Sequence, residues 1–124
     1  MAITPRSFNL PFLVCFGTED FFLDRDIERA KAWANRGVVL VDGHGLTDYE
    51  LVSICEERSD RLRTVIVDDA QKIKGDKALK AYIGDRSKSD LSVILAAIVR
   101  SEKLPDVWSG AISKGKALVK NPRL

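Results

Sequence analysis

The chain has 124 residues, a formal net charge of +2, and 45% hydrophobic against 31% charged residues, which is the balance of a soluble globular protein. This length predicts a single domain over residues 1–124 that buries about two-thirds of the surface of its unfolded chain. No apolar run reaches the roughly 18 residues of a membrane span, and Asn9 and Pro11 interrupt the apolar stretch near the N-terminus that could resemble a secretion signal. We therefore expect a cytoplasmic protein without membrane contact.

Apolar runs and capping signals predict alternating strands and helices. In chain order these are a strand at 12–16, a helix at 20–34, a strand at 38–41, a helix at 47–58, a strand at 64–68, a helix at 76–83, a strand at 91–99, a helix from 105 and a strand at 117–119. Thr47 and Glu50 match a capping box, and Pro105 suits the first position of a helix. Gly37, Gly84 and Gly115 stand where glycine ends helices.

The alternation of strands and helices predicts the fold class. Such a chain forms an α/β three-layer sandwich around a five-stranded, mainly parallel sheet, and its crossovers are right-handed. The run 91–99 is apolar at all but one position, which is typical of a strand covered on both faces, so it should be central. Trp33 and Trp108 fall on helix faces and are expected in the core. Cys15 and Cys55 have apolar neighbours and no metal-ligand spacing, which predicts buried reduced thiols.

The stretch 64–71 carries the strongest functional signal. Three β-branched apolar residues run into Asp68 and Asp69, so both acids should lie at the carboxyl end of a buried strand, where open α/β sheets bind ligands. An equally simple interpretation is a solvated turn. Further carboxylates are expected at the same edge, from Glu19, Asp20 and Asp42. Oxygen ligands suit Mg²⁺, which makes Asp42 and Asp68 weak metal candidates.

The turn after the first strand does not carry a phosphate-binding loop. Such a loop reads GxxxxGK[ST], because its backbone N–H groups and lysine surround the phosphates. Here Gly17, Thr18, Glu19 and Asp20 occupy the position, and the two acids would repel phosphate. Residues 110–116 fit the pattern by chance, but alanine follows where the Mg²⁺-binding hydroxyl belongs, and no strand precedes them. The sequence thus predicts a degenerate phosphate loop.

The apolar run ending in Asp68 and Asp69 resembles the Walker B segment of AAA+ ATPases, and residues 12–23 resemble the opening of the delta subunit of bacterial and phage DNA polymerase III clamp loaders. The likeness continues through 38–43, the helix from 47, and the strands 65–68 and 91–98. It implies an AAA+/RecA-like fold that lacks a phosphate loop. It further implies that the protein uses no cofactor and does not hydrolyse ATP. It also implies a role in DNA replication, with the sliding clamp and the clamp-loader ATPase subunits as partners and DNA reached through the loader.

This sequence departs from the delta family at two points. Family members continue past the fifth strand into further domains, so this chain is expected to be either a fragment or a reduced version. The family's clamp-binding wedge is a pair of large apolar residues before the third strand, whereas the stretch 56–62 offers only Leu62. Leu62 is therefore the clamp-binding candidate. Arg100 and Ser101 follow the fourth strand, where AAA+ proteins place a nucleotide sensor, and here we expect them at an interface or the surface.

A phosphoacceptor receiver domain, or another Mg²⁺-dependent phosphotransfer domain, is the alternative. Receivers have about this length, an acceptor aspartate after the third strand and a Lys-x-Pro after the fifth, which Asp68 and the stretch 120–122 would supply. Against this, Gly17 and Thr18 separate the first strand from its acids. His44, the only histidine, lies between two glycines and is expected in a turn, because no second His or Cys is near it in the sequence.

Overall fold

The computed structural model describes residues 10–32, 37–59 and 61–120. The strands are β1 Phe12–Phe16, β2 Gly37–Asp42, β3 Arg63–Asp68, β4 Val93–Val99 and β5 Ala117–Lys120, and the helices are α1 Asp20–Lys31, α2 Asp48–Glu56, α3 Lys77–Asp85 and α4 Asp106–Ser113. A 3-10 turn, Ala70–Lys72, follows β3. Every predicted element is present with slightly different ends. Within the described ranges, no helix is long and apolar enough to cross a membrane.

The five strands form one parallel sheet in the order β2-β3-β4-β1-β5. The predicted α/β class with a parallel sheet is confirmed, and β4 is central and buried at every residue. In this order β4 separates β1 from β3. A receiver domain instead has the flavodoxin-like order 2-1-3-4-5, in which the first strand lies between the second and the third. The sheet order therefore excludes the receiver topology.

Helices cover both faces of the sheet, which confirms the three layers. One face packs against α1, in a cluster that includes Leu13, Leu23 and Ile66. The other packs against α2, α3 and α4, in a larger cluster around Trp108, which is 1% exposed as predicted for a core residue. Trp33 lies outside the described residues. Alternate side chains of β1, β3, β4 and β5 enter opposite clusters, as the period of two of a β-strand requires.

Two of the predicted helix ends are confirmed, the start of α2 and the end of α4. The Thr47 side chain accepts a hydrogen bond from the backbone N–H of Glu50, and the Glu50 carboxylate accepts one from the N–H of Thr47, at 3.1 and 3.0 Å. This is the predicted capping box. Gly115 follows α4 with φ of +70°, a conformation that favours glycine. Pro105 is the N-cap of α4 rather than its first residue.

The prediction that Gly37 ends the first helix is wrong. Gly37 is the first residue of β2, and its N–H donates to the carbonyl oxygen of Leu62 at 2.8 Å. Pairing with the neighbouring strand thus determines its conformation. The predicted end of α1 at Ala34 lies outside the described residues.

Gly84 does not end the third helix either, because α3 continues through it to Asp85. The carbonyl groups near this helix end are satisfied from elsewhere in the chain. The Lys116 ammonium group donates to the carbonyl oxygens of Ile83 and Gly84 at 2.8 and 2.9 Å. A distant lysine therefore serves in place of the expected glycine cap.

Candidate functional site at the carboxyl edge of the sheet

The carboxyl ends of β3 and β4 bring Asp68 and Arg100 together. Asp68 is the last residue of β3, and Arg100 directly follows β4. The Arg100 guanidinium contacts both oxygens of the Asp68 carboxylate, with Nε to Oδ1 at 2.8 Å and Nη2 to Oδ2 at 3.2 Å. Such a two-point pair is stronger than a single neutral hydrogen bond and fixes the orientation of both groups.

The same guanidinium also contacts the start of α1. Nη1 lies 2.9 Å from Oδ1 of Asp20, and Nη2 lies 2.5 Å from Oδ1 of Asp24. Asp20 and Asp24 are one helical turn apart and so lie on the same side of α1. We call these four residues the Arg100 cluster: Arg100, Asp20, Asp24 and Asp68. It ties α1 to the ends of β3 and β4.

The Arg100 cluster carries more negative than positive charge, since three carboxylates share one guanidinium. The Arg100 side chain is 17% exposed, whereas those of Asp20 and Asp24 are 73% and 64% exposed. The hydrogen bonds to Asp68, and then those to Asp24 and Asp20, raise the pKa of Arg100 further above its ordinary value, although partial burial opposes this. Arg100 is therefore a permanent cation at this edge. It is less exposed than the predicted surface position implies, and the other possibility, a position at an interface, stays a prediction.

Asp69 and Gln71 form a second layer of contacts around Asp68. The N–H of Asp69 donates to Oδ1 of Asp68 at 2.8 Å, and Gln71 donates its amide N–H to Oδ1 of Asp69 at 3.0 Å. The amide oxygen of Gln71 accepts from the backbone N–H of Arg100 at 3.0 Å. Asp69 has φ of +52°, in the left-handed region that non-glycine residues rarely occupy. Both Walker B-like acids lie at the strand end, as the sequence indicated, and both are engaged by the protein itself.

The turn after β2 approaches this strand end closely. The N–H of Gly43 donates to the carbonyl oxygen of Asp68 at 2.7 Å, and a Cβ at Gly43 would overlap the carbonyl oxygen of Asp69. Asp42 accepts from the backbone N–H of His44 at 2.9 Å, so the turn predicted around His44 is confirmed. Within the described ranges, no three His, Cys, Asp or Glu side chains are grouped so that they could hold a metal ion. Asp42 and Asp68 remain weak metal candidates without support from the geometry.

The position of a phosphate loop is a short turn between β1 and α1. The N–H of Gly17 donates to the carbonyl oxygen of Val99 at 3.1 Å, and Thr18 and Glu19 lead into α1, with Glu19 as the N-cap. Asp20 lies in the first turn of the helix, where the helix dipole stabilises a negative charge. A carboxylate of the chain itself thus lies at the helix end where P-loop proteins bind a phosphate.

Leu62 lies at the amino end of β3, whereas the Arg100 cluster lies at its carboxyl end. It directly precedes β3, whereas Asp68 ends it, so the length of a six-residue strand, about 20 Å, separates them. Leu62 is 48% exposed. The next residue, Arg63, is buried, and its guanidinium donates to the carbonyl oxygens of Ile54, Cys55 and Glu57 at 3.1, 3.2 and 2.5 Å. Arg63 therefore holds the loop that carries Leu62 against the end of α2.

Lys120, the receiver-type lysine, binds a different aspartate. Its ammonium group lies 2.5 Å from Oδ1 of Asp26, a residue of α1 whose side chain is 1% exposed. Lys120 therefore neutralises a buried carboxylate beneath α1 rather than contacting Asp68. Asn121 and Pro122, which complete the Lys-x-Pro pattern, lie outside the described residues.

The two cysteines are buried and unpaired, as predicted. Burial raises the pKa of Cys55 to about 11. Burial, together with the neighbouring Asp26, raises the pKa of Cys15 as well. Since the thiolate is the reactive form, both thiols are inert in the folded protein.

Comparison with known proteins supports the fold. No family model matches the sequence, and no curated protein matches it. Among solved structures, the Bacillus subtilis DNA clamp loader delta protein matches with a TM-score of 0.69 over 90% of this chain, at 17% sequence identity. The fold is shared with a clamp loader delta protein. The chain spans 38% of the length of that delta protein. At this low identity the likeness concerns the fold alone.

Proposed function

We propose that this chain is a clamp-loader delta-like module that takes part in DNA replication by binding the sliding clamp, the clamp-loader ATPase subunits, or both. Residues 1–124 would form one domain, working in the cytoplasm and reaching DNA through the loader. Two findings support the proposal: the fold shared with the B. subtilis delta protein, and the sequence resemblance around 12–23 and 64–71.

The Arg100 cluster is the main support for proposing that the chain does not bind or hydrolyse ATP. In a P-loop ATPase, the space between the start of the first helix and the Walker B strand holds phosphates and Mg²⁺. Here Arg100 bridges Asp20, Asp24 and Asp68 across that space. An entering nucleotide would have to break these ion pairs and place its phosphates beside carboxylates. The module would thus bind partners without binding or hydrolysing ATP.

Leu62 remains the candidate for the clamp contact. It is exposed on a loop that Arg63 holds in place, so little ordering is needed before it binds. Burying one leucine contributes about 1.5–3 kcal/mol, while association costs about 4 kcal/mol or more. Other contacts must therefore contribute. The basic segment 114–123 could contribute charge interactions that weaken with salt, because exposed charges are screened over about 8–10 Å.

Partner capture from the native host tests this proposal. We expect the tagged chain, or a longer natural form of it, to retain the sliding clamp or a loader ATPase subunit at low salt. We expect Leu62→Ala to weaken the retention about tenfold or more, since the 1.5–3 kcal/mol of one buried leucine corresponds to a factor of about 10–150. Tyr49→Ala is the control, since Tyr49 is 65% exposed in the first turn of α2, away from Leu62 and outside the segment 114–123. Recovery of neither partner at low salt would contradict the proposal. Equal retention by the Leu62 and Tyr49 variants would contradict the role of Leu62.

A further inference from the structure

Strand β2 forms one edge of the sheet and pairs only with β3 among the described residues. Its sequence, Gly37 to Asp42, reads GVVLVD and carries no charge before the last residue. Natural proteins protect exposed sheet edges with lysine, proline, a bulge or a covering element, because unpaired N–H and C=O groups there can pair with another strand. The first five residues of β2 contain neither lysine nor proline, and its register with β3 runs without a bulge.

The side chains of β2 are also unusually apolar for an edge. Val38 and Leu40 are 39% and 50% exposed, on the face of the sheet that α1 covers over β1, β3 and β4. Val39 and Val41 point to the other face, where they pack partly against the larger core cluster. Among the described residues, one face of this edge thus offers two neighbouring apolar side chains that nothing covers, and such a patch suits contact with another protein surface.

The direction of the free backbone groups follows from two hydrogen bonds. The N–H of Gly37 donates to the carbonyl oxygen of Leu62 at 2.8 Å, and that of Gly43 donates to the carbonyl oxygen of Asp68 at 2.7 Å. The backbone groups of the odd-numbered residues of β2 therefore point towards β3. Because the backbone N–H and C=O groups of successive strand residues point to opposite sides of the strand, those of Val38 and Leu40 point away from the sheet. An incoming strand would therefore bond to the same residues whose side chains are exposed.

We infer that β2 pairs with β2 of a second copy of this chain, antiparallel and centred on Val39. In this register Val38 lies opposite Leu40 of the partner copy, and Leu40 lies opposite its Val38. Both pairs join residues with outward backbone groups, so each exchanges two hydrogen bonds, as antiparallel pairs of this type do. The four exposed apolar side chains meet on one face, and cross-strand apolar pairs of this kind stabilise a sheet.

Other antiparallel registers fit less well. Centring the pair on Leu40 would place Val38 opposite Asp42 of the other copy, and the carboxylate would then lie against an apolar side chain. Both registers are two-fold symmetric, but the one centred on Val39 avoids this contact. Such an interface closes at two copies and does not continue into a fibre. Because it rests on one short strand, it is expected to be weak.

Sedimentation of the purified chain tests the dimer without any clamp or loader subunit, so its outcome is independent of the proposed function. We expect a reversible monomer and dimer equilibrium, with Val38→Lys and Leu40→Lys each raising the dissociation constant about tenfold or more. Val119→Lys, on the other edge strand, is the matched control and should leave the constant unchanged. A chain that stays monomeric at the highest soluble concentration, or that responds equally to all three variants, would overturn the inference. Circular dichroism establishes that each variant is folded.

Cysteine crosslinking tests the register. Val39 lies on the two-fold axis in a pair without mutual hydrogen bonds, whose Cα atoms are about 4.5 Å apart, and disulfides require about 4.4–6.8 Å. Under mild oxidation, Val39→Cys should form a covalent dimer and Leu40→Cys should not, while the native Cys15 and Cys55 are buried. A crosslink through Leu40→Cys alone would overturn the proposed register, and no crosslink in either variant would overturn the pairing.

Discussion

Replacing Arg100 with methionine should lower the free energy of unfolding by about 2–3 kcal/mol, because each hydrogen bond between charged groups contributes about 1.5–3 kcal/mol. Arg100 contacts Asp20, Asp24 and Asp68, and its removal would leave three neighbouring carboxylates without their shared cation. The exposure of Asp20 and Asp24 to water keeps the expected loss below the sum of the separate contacts. Urea denaturation followed by circular dichroism measures the change.

Arg25→Met is the control for this experiment. Arg25 is an exposed arginine of α1, the helix that carries Asp20 and Asp24, and its guanidinium lies 5.8 Å from the ring centre of Phe21 without joining the Arg100 cluster. Its replacement should cost about 1 kcal/mol or less. Equal losses in the two variants would mean that the Arg100 cluster does not hold α1 to the sheet.

Replacing Lys120 with methionine should destabilise the fold by about 3 kcal/mol or more, because a buried carboxylate would lose its counter-ion. Asp26 is almost fully buried, one of its oxygens has no hydrogen-bond partner, and the next cation, Arg29, lies at 4.0 Å. The double variant Asp26→Asn with Lys120→Met should recover much of the lost stability, since it removes the unpaired charge. A thermal or urea unfolding series over the two single variants and the double variant gives the coupling between the residues.

Lys31→Met is the matched control for Lys120. Lys31 pairs with Glu28 at 3.1 Å, but both side chains are at the surface, at 37% and 73% exposure. Surface pairs contribute about 1 kcal/mol or less. If Lys120→Met cost no more than Lys31→Met, the pair with Asp26 would not be anchoring β5 to α1.

The strands and helices could be predicted from the sequence because their signals are local. The run 12–16 is apolar throughout, and the capping box at Thr47 and Glu50 spans one helical turn. The errors at Gly37 and Gly84 come from partners distant in the sequence. Gly37 is part of β2 because it pairs with the neighbouring strand, and Lys116 donates to the carbonyl oxygens at the end of α3 in place of a glycine cap. The presence of a glycine at either position does not reveal these distant partners.

The candidate site could be predicted only in part, for the same reason. Asp68 and Asp20 were expected at the carboxyl edge because each follows an apolar strand. Asp24 carried a weaker signal, since it follows Asp20 by one helical turn. Arg100 is 32 positions from Asp68 and 80 from Asp20 along the chain. Its position beside both depends on the sheet order, in which β4 lies between β1 and β3, and no local pattern specifies that order.

Titration with Mg-ATP decides whether the Arg100 cluster keeps nucleotide from the carboxyl edge of the sheet. Calorimetry and amide NMR spectra of the folded chain should show no binding heat and no shifts at Gly17, Asp68 or Arg100 up to about 1 mM nucleotide, a range that detects binding free energies as small as about 4 kcal/mol. A micromolar dissociation constant with shifts at these residues, together with ATP turnover that Asp69→Ala abolishes, would show that this edge binds and hydrolyses nucleotide despite the Arg100 cluster.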